Sequence, residues 1–126
     1  MKDDRKYQKQ HYKQTHTEMG VYQIKNQQNG KIFMGSSMDL RGIFNRHKFE
    51  LKFNNHKNRA LQNDWNKHGH EMFSFDVLEK IKPEEEIVTE LTELRKYQQK
   101  LEKMKEKWFE ILKPYEEKGY HKNSKL

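Results

Sequence analysis

The stretch GVYQIKNQQNGKIFMG, residues 20–35, constrains the fold more than any other part of the chain. Two runs of strand-forming residues flank Asn29-Gly30, a pair that tolerates positive φ and marks a tight reversal. Val21 and Ile24 give the first run its apolar residues, and Phe33 lies in the second. The pattern predicts a β-hairpin with strands over residues 20–26 and 31–36.

The residues after the hairpin can cover it. Ser37 or Asp39 can cap a helix by accepting backbone N–H bonds. Leu40, Ile43, Phe44, His47 and Leu51 then recur at steps of three and four, which sets them on one helical face. Gly42 weakens this helix without forbidding it. Residues 60–69, ALQNDWNKHG, read as a shorter helix stopped by Gly69. Residues 71–81 read as a third strand, with Phe73, Phe75 and Val77 alternating. Pro83 and the glutamates at 84–86 open a last helix. Its stripe is Ile87, Leu91, Leu94, Leu101, Met104, Trp108 and Ile111. From 84 to 112 that helix would run about 43 Å, more than a small sheet can cover. It must therefore break, near Gln98-Gln99, or project, and a projecting stripe could pair with another protein chain. Pro114 ends it. Trp65 and Trp108 fall on apolar faces and read as core. The order β-β-α-α-β-α predicts an α+β fold: a three-stranded antiparallel sheet flanked by helices, with a long C-terminal helix.

Composition bears on how much of the chain this fold employs. Of 126 residues, 32% are hydrophobic and 36% charged, a poor supply of core for a globular domain. Residues 1–18 read as a polar arm whose large apolar groups are Tyr7 and Tyr12, 19–121 as the domain, and 122–126 as a polar tail. The lack of cysteine excludes disulfides, thiolate zinc sites and thiol nucleophiles. There is no apolar run of the kind that spans a bilayer or directs secretion, so the cytoplasm is the default expectation.

The net charge of +7 suits a polyanion such as nucleic acid, although many basic proteins bind none. The charge concentrates at residues 46–59, where Arg46, Lys48, Lys52, Lys57 and Arg59 oppose Glu50 alone, with His47 and His56 among them. These cations and His56 are the candidate nucleic-acid contacts. Phe49 and Phe53 interleave with them, but the helical period assigns one or both to packing rather than base stacking. His68 and His70 lack further spaced ligands, and no metal site is assigned to them.

In order, GVY, FMG, SSMDL, HKFEL, NHKNRALQNDWNKHG, FSFDVLEKI and EKWFEILKPYEEKGY resemble successive segments of the GIY-YIG nuclease domain over residues 19–121. The resemblance implies a fold that hydrolyses phosphodiesters in DNA with one divalent metal. It also implies a phenol in each of the first two strands, an arginine on the first helix, a metal-binding glutamate on the last, and an asparagine near the end. Guanidinium and metal would neutralise charge building on the phosphate, and a phenol could accept a proton from water. Carried onto this chain, Tyr22 keeps the first phenol and His47 a helix histidine; His56 matches a second histidine of the family. Phe33, Ile43, Lys105 and His121 stand where the second phenol, the arginine, the glutamate and the asparagine belong. Lys105 cannot ligate Mg²⁺, and its ammonium would repel the ion. The expectation is a degenerate domain that binds DNA or another nucleic acid without efficient cleavage and needs no cofactor. Two alternatives stand beside it. One is an active or weakened Mg-dependent endonuclease with displaced groups such as Arg46 and Glu102. The other is a regulator that binds a protein partner through its last helix.

Overall fold

The computed structural model describes residues 18–81 and 91–122. The expected polar arm up to residue 17, the helix opening at Pro83 with Ile87, and the tail beyond 122 lie outside the described residues.

Strands β1 (Met19–Asn26), β2 (Ile32–Ser37) and β3 (Phe73–Ile81) form one antiparallel sheet in the order β2-β1-β3. β1 is central because both its faces are apolar enough to bury. Met19, Val21, Tyr22 and Ile24 are all buried. Ile24 joins a core with Leu51 of α1 (Leu40–Lys52) and Leu61 of α2 (Arg59–His68). Met19 joins a second core with Tyr97 and Leu101 of α3 (Leu91–Leu112). Successive strand residues point to opposite faces, so Ile24 and Met19, five apart, bury the two sides of the sheet.

The hairpin forms with a longer reversal than Asn29-Gly30 predicts. Asn26 N–H donates to Lys31 O at 2.9 Å and Gly30 N–H to Asn26 O at 2.7 Å, leaving a four-residue loop. Gly30 alone takes a positive φ, +79°, while Asn29 accepts from Lys31 N–H at 2.9 Å through its side chain. The third strand also departs from strict alternation. Val21 pairs with Glu79 but Tyr22 with Val77, so Leu78 is the extra residue of a bulge. Val77, opposite Tyr22 and on the same face as Phe73 and Phe75, is nevertheless 37% exposed, whereas those two pack into the core as expected.

Asp39 caps α1 by accepting from Gly42 N–H at 3.0 Å, and Gly69 ends α2 with φ of +88°. α3 runs unbroken through Gln98 and Gln99, about 33 Å for its 22 residues. Tyr97 and Leu101 are buried on it and Trp108 and Leu112 half-buried, whereas Ile111, at the margin of that covered face, is 59% exposed. Trp65 and Trp108 are half-buried rather than fully core, and the Trp108 indole donates to Glu79 at 2.8 Å.

Candidate functional site

Tyr22 is buried at the middle of β1, and its hydroxyl has room because its cross-strand partner is Gly35. A Cβ at Gly35 would lie 2.6 Å from Tyr22 Oη. The glycine of FMG and the tyrosine of GVY therefore form one feature: the bare backbone of β2 is what admits the phenol. Phe44 of α1 packs edge-on to the Tyr22 ring at 5.4 Å.

A chain of hydrogen bonds starts at that phenol. Tyr22 Oη lies 2.7 Å from His47 Nε2, and His47 Nδ1 lies 2.8 Å from His56 Nε2. Asn58 N–H donates to His56 Nδ1 at 3.0 Å. The direction of every bond follows from the last, because a backbone N–H can only donate. Neutral His56 then carries its proton on Nε2 and gives that bond to His47 Nδ1. Neutral His47 in turn carries its proton on Nε2 and donates to Tyr22 Oη. The imidazoles are neutral near pH 7. Burial lowers the His47 pKa to about 4, with His56 and Arg46 adding to the effect, and burial lowers that of His56 as well. Burial pushes the Tyr22 hydroxyl well above the usual phenol range.

Phe33 of β2 packs against this chain, 5.3 Å from His47 and 5.5 Å from His56 by ring centroids, and stacks on His121 at 4.9 Å. His121 accepts from Met34 N–H at 2.8 Å through Nε2. Burial lowers its pKa to about 4, and the Lys105 ammonium acts in the same direction. Lys105 is half-buried and pairs with Glu102 at 3.3 Å, one turn away on α3. Ile43 lies in the wall of a cavity of about 310 Å³, with Phe33, Arg46, His47, Glu50 and His56. Phe33 and Ile43 thus share the cavity, while His121 stacks on Phe33 and feels the Lys105 charge.

Glu50 is the residue that sequence reasoning missed. There it counted only as a diluting charge. It lies one turn from both Arg46 and His47, on the cavity side of α1, and pairs with Arg46 at 3.9 Å. Both charges act on Tyr22. The helical steps i+4 and i+3 from Arg46 and His47 were the available signal. Glu102, the carboxylate considered instead, is tied to Lys105.

Where the family resemblance would put its metal ligand, this chain offers the ammonium of Lys105, which repels a cation rather than holding it. His47, Glu50 and His56 do offer three ligand atoms within 4.8 Å of one another. Yet His56 Nε2 and His47 Nδ1 spend their proton and lone pair on each other. An ion bound between them would have to displace a proton that the Asn58 N–H holds in place.

His56, grouped in sequence with the nucleic-acid contacts, is buried at 4% exposure and serves the hydrogen-bond chain instead. Arg46, Lys48, Lys52, Lys57 and Arg59 are exposed, as phosphate contacts would have to be. Phe49 and Phe53, one or both of them expected to pack, are 64% and 59% exposed. His68 is half-buried and His70 exposed, and neither belongs to a metal-binding cluster among the described residues.

A buried phenol, two coupled histidines, an arginine and a carboxylate, gathered where α1 crosses a three-stranded antiparallel sheet, define a small α+β domain of the nuclease class. The model of the GIY-YIG catalytic domain matches residues 18–114, and the chain belongs to that family. It is similar to two structures of the catalytic domain of the homing, or intron, endonuclease I-TevI. One is 30% identical with a TM-score of 0.63, covering 81% of this chain and 95% of that one. The other is 29% identical with a TM-score of 0.60, covering 77% and 86%. Intron-associated endonuclease 1 of Enterobacteria phage T4 is 38% identical over 71 residues, 56% of this chain but 29% of that relative. The match to that relative therefore spans under a third of its length. Among the described residues no helix is long and apolar enough to cross a membrane.

Proposed function

We propose that this domain binds nucleic acid, DNA in the first instance, and cleaves it poorly or not at all. One observation carries the second half of that reading. Lys105, the residue that the family resemblance sets against its metal ligand, is an ammonium paired with Glu102 at 3.3 Å. Ile43 adds to it, lining the cavity where a guanidinium would meet a phosphate. The hydrogen-bond chain points the same way. His47 donates to Tyr22 and so cannot take its proton, while burial keeps the phenol protonated near neutral pH. Removing one preorganised stabiliser commonly costs about 10²–10³ in rate, and here several are replaced together.

The binding half rests on Arg46, Lys48, Lys52, Lys57 and Arg59, all of them exposed. Phosphate contacts of this kind give weakly sequence-selective, salt-dependent affinity. A second reading, residual metal-dependent cleavage, draws support from Arg46 and Glu50 converging beside His47. Nicking of supercoiled plasmid in Mg²⁺ and Mn²⁺ separates the two. The expected result is no cleavage above background. Metal-dependent nicking abolished by Tyr22→Phe would overturn the inactive reading, and absence of DNA affinity at low salt would overturn the binding one.

A further inference from the structure

α1 has two flanks. On one lies the cavity beside His47; on the other an open groove of about 770 Å³ is lined by Lys48, Lys52, Trp65, His70, Phe73 and Phe75. The floor of the groove is aromatic. Trp65 packs 5.2 Å from Phe73 and 6.4 Å from Phe75 by ring centroids, and Lys48 Nζ sits 4.9 Å over the Phe75 ring. Between the flanks, on the crest of α1, the exposed rings of Phe49 and Phe53 lie 4.7 Å apart, with Lys52 Nζ 5.7 Å over Phe53.

At 3.6 residues per turn these groups fall in sequence around the helix. Leaving the groove, one meets Lys48, Lys52, Phe49, Phe53 and then Arg46, which lines the cavity on the far flank. Cations and open aromatic faces thus form a continuous path across α1. Among the described residues, the carboxylate in ion-pair range of these cations is Glu50, on Arg46. A protein partner would need no cations interleaved with the rings, whereas a strand of unpaired nucleotides offers both phosphates for the cations and flat bases for the rings. In a duplex the base faces are stacked on one another and cannot reach Phe49 or Phe53.

We propose that a single strand, or a locally unpaired stretch, of nucleic acid crosses the outer face of α1 from the groove to the cavity. Its bases stack on the exposed rings of Phe49 and Phe53, and its phosphates meet Lys48, Lys52 and Arg46. This rests on the nucleic-acid reading above and narrows it to unpaired substrate. The test is fluorescence anisotropy with the full chain, using a labelled oligonucleotide as a single strand and as a duplex of the same sequence. Substituting both Phe49→Ala and Phe53→Ala at these exposed positions should weaken single-strand binding roughly 5- to 100-fold and leave duplex binding within about twofold. Substituting Lys48→Glu and Lys52→Glu should weaken both. Equal losses for the two nucleic acids in the Phe variant, or no loss for the single strand, would overturn the stacking path while the basic surface stood. Binding of neither form by the unaltered chain would sink both readings. A dimer in sedimentation that the Phe variant dissolves would assign the crest to a second copy and overturn the proposal.

Discussion

A methyl group on Gly35 would meet Tyr22 Oη at 2.6 Å, so the phenol and the glycine are fixed as a pair. Gly35→Ala must push the ring toward α1, where His47 Nε2 and Phe44 already touch it. Overpacking of this kind typically costs about 1–3 kcal/mol. Chemical denaturation should show a loss in that range, and Tyr22→Phe in the same background should recover part of it by removing the clashing oxygen. The buried histidines make a separate prediction. The His47 and His121 pKa values fall from 6.5 to about 4 on folding, chiefly through burial. The unfolded chain therefore binds more protons than the folded one between those values, and stability rises with pH across that window. It should be fully present above about pH 6.5 and decline as the pH falls toward 4. His121→Asn removes one titrating group, so its stability–pH slope in this window should be shallower by up to about 1.4 kcal/mol per pH unit, as read from denaturation midpoints.

Among the elements, α3 shows where an apolar stripe stops carrying stability. Leu101 is 4% exposed in the core with Met19 and Tyr97, while Ile111 on the same helix is 59% exposed. Leu101→Ala should cost about 2–5 kcal/mol in denaturant titration, and Ile111→Ala should stay within about 0.5 kcal/mol. Periodicity assigned both residues to one stripe, because it reads spacing along the chain and not how wide a face of the helix is covered. The same limit explains the other departures. Alternation located Phe73 and Phe75 but could not register the bulge at Leu78, nor that Val77 on the same face would be left 37% exposed. Asn29-Gly30 marked the reversal, yet the side chains of Asn26 and Asn29 hold a longer loop. On α1 the apolar steps of three and four were legible from sequence. Phe49 and Phe53 were not, since nothing local says that this part of the helix meets solvent. Tyr22, His47, Phe33 and Ile43 were placed through motif order. Glu50 and the Asn58 N–H emerged only once the chain had folded α1 against residues 56–58.

At the scale of the whole molecule, the proposed loss of cleavage is spread over three positions contributed by three different elements. Phe33 comes from β2, Ile43 from α1 and Lys105 from α3, and on the family resemblance a phenol, a guanidinium and a carboxylate would be expected there. Because such groups act together, restoring one should achieve little. Phe33→Tyr alone returns a hydroxyl beside His47 and His56 but leaves the Lys105 ammonium in place. Lys105→Glu alone sets a second carboxylate one turn from Glu102, with no guanidinium facing a phosphate. The triple variant Phe33→Tyr, Ile43→Arg and Lys105→Glu supplies phenol, guanidinium and carboxylate at once, on a scaffold whose Tyr22, His47 and Gly35 are already in position. It should nick supercoiled plasmid in Mg²⁺ at a rate that EDTA abolishes, with the unaltered chain and the single variants remaining near background. If the triple variant folds, as judged by its melting transition, and is still inert, the missing activity lies outside these positions. The hydrogen-bond direction imposed by Asn58 on His56, His47 and Tyr22 would then be the remaining obstacle within the site.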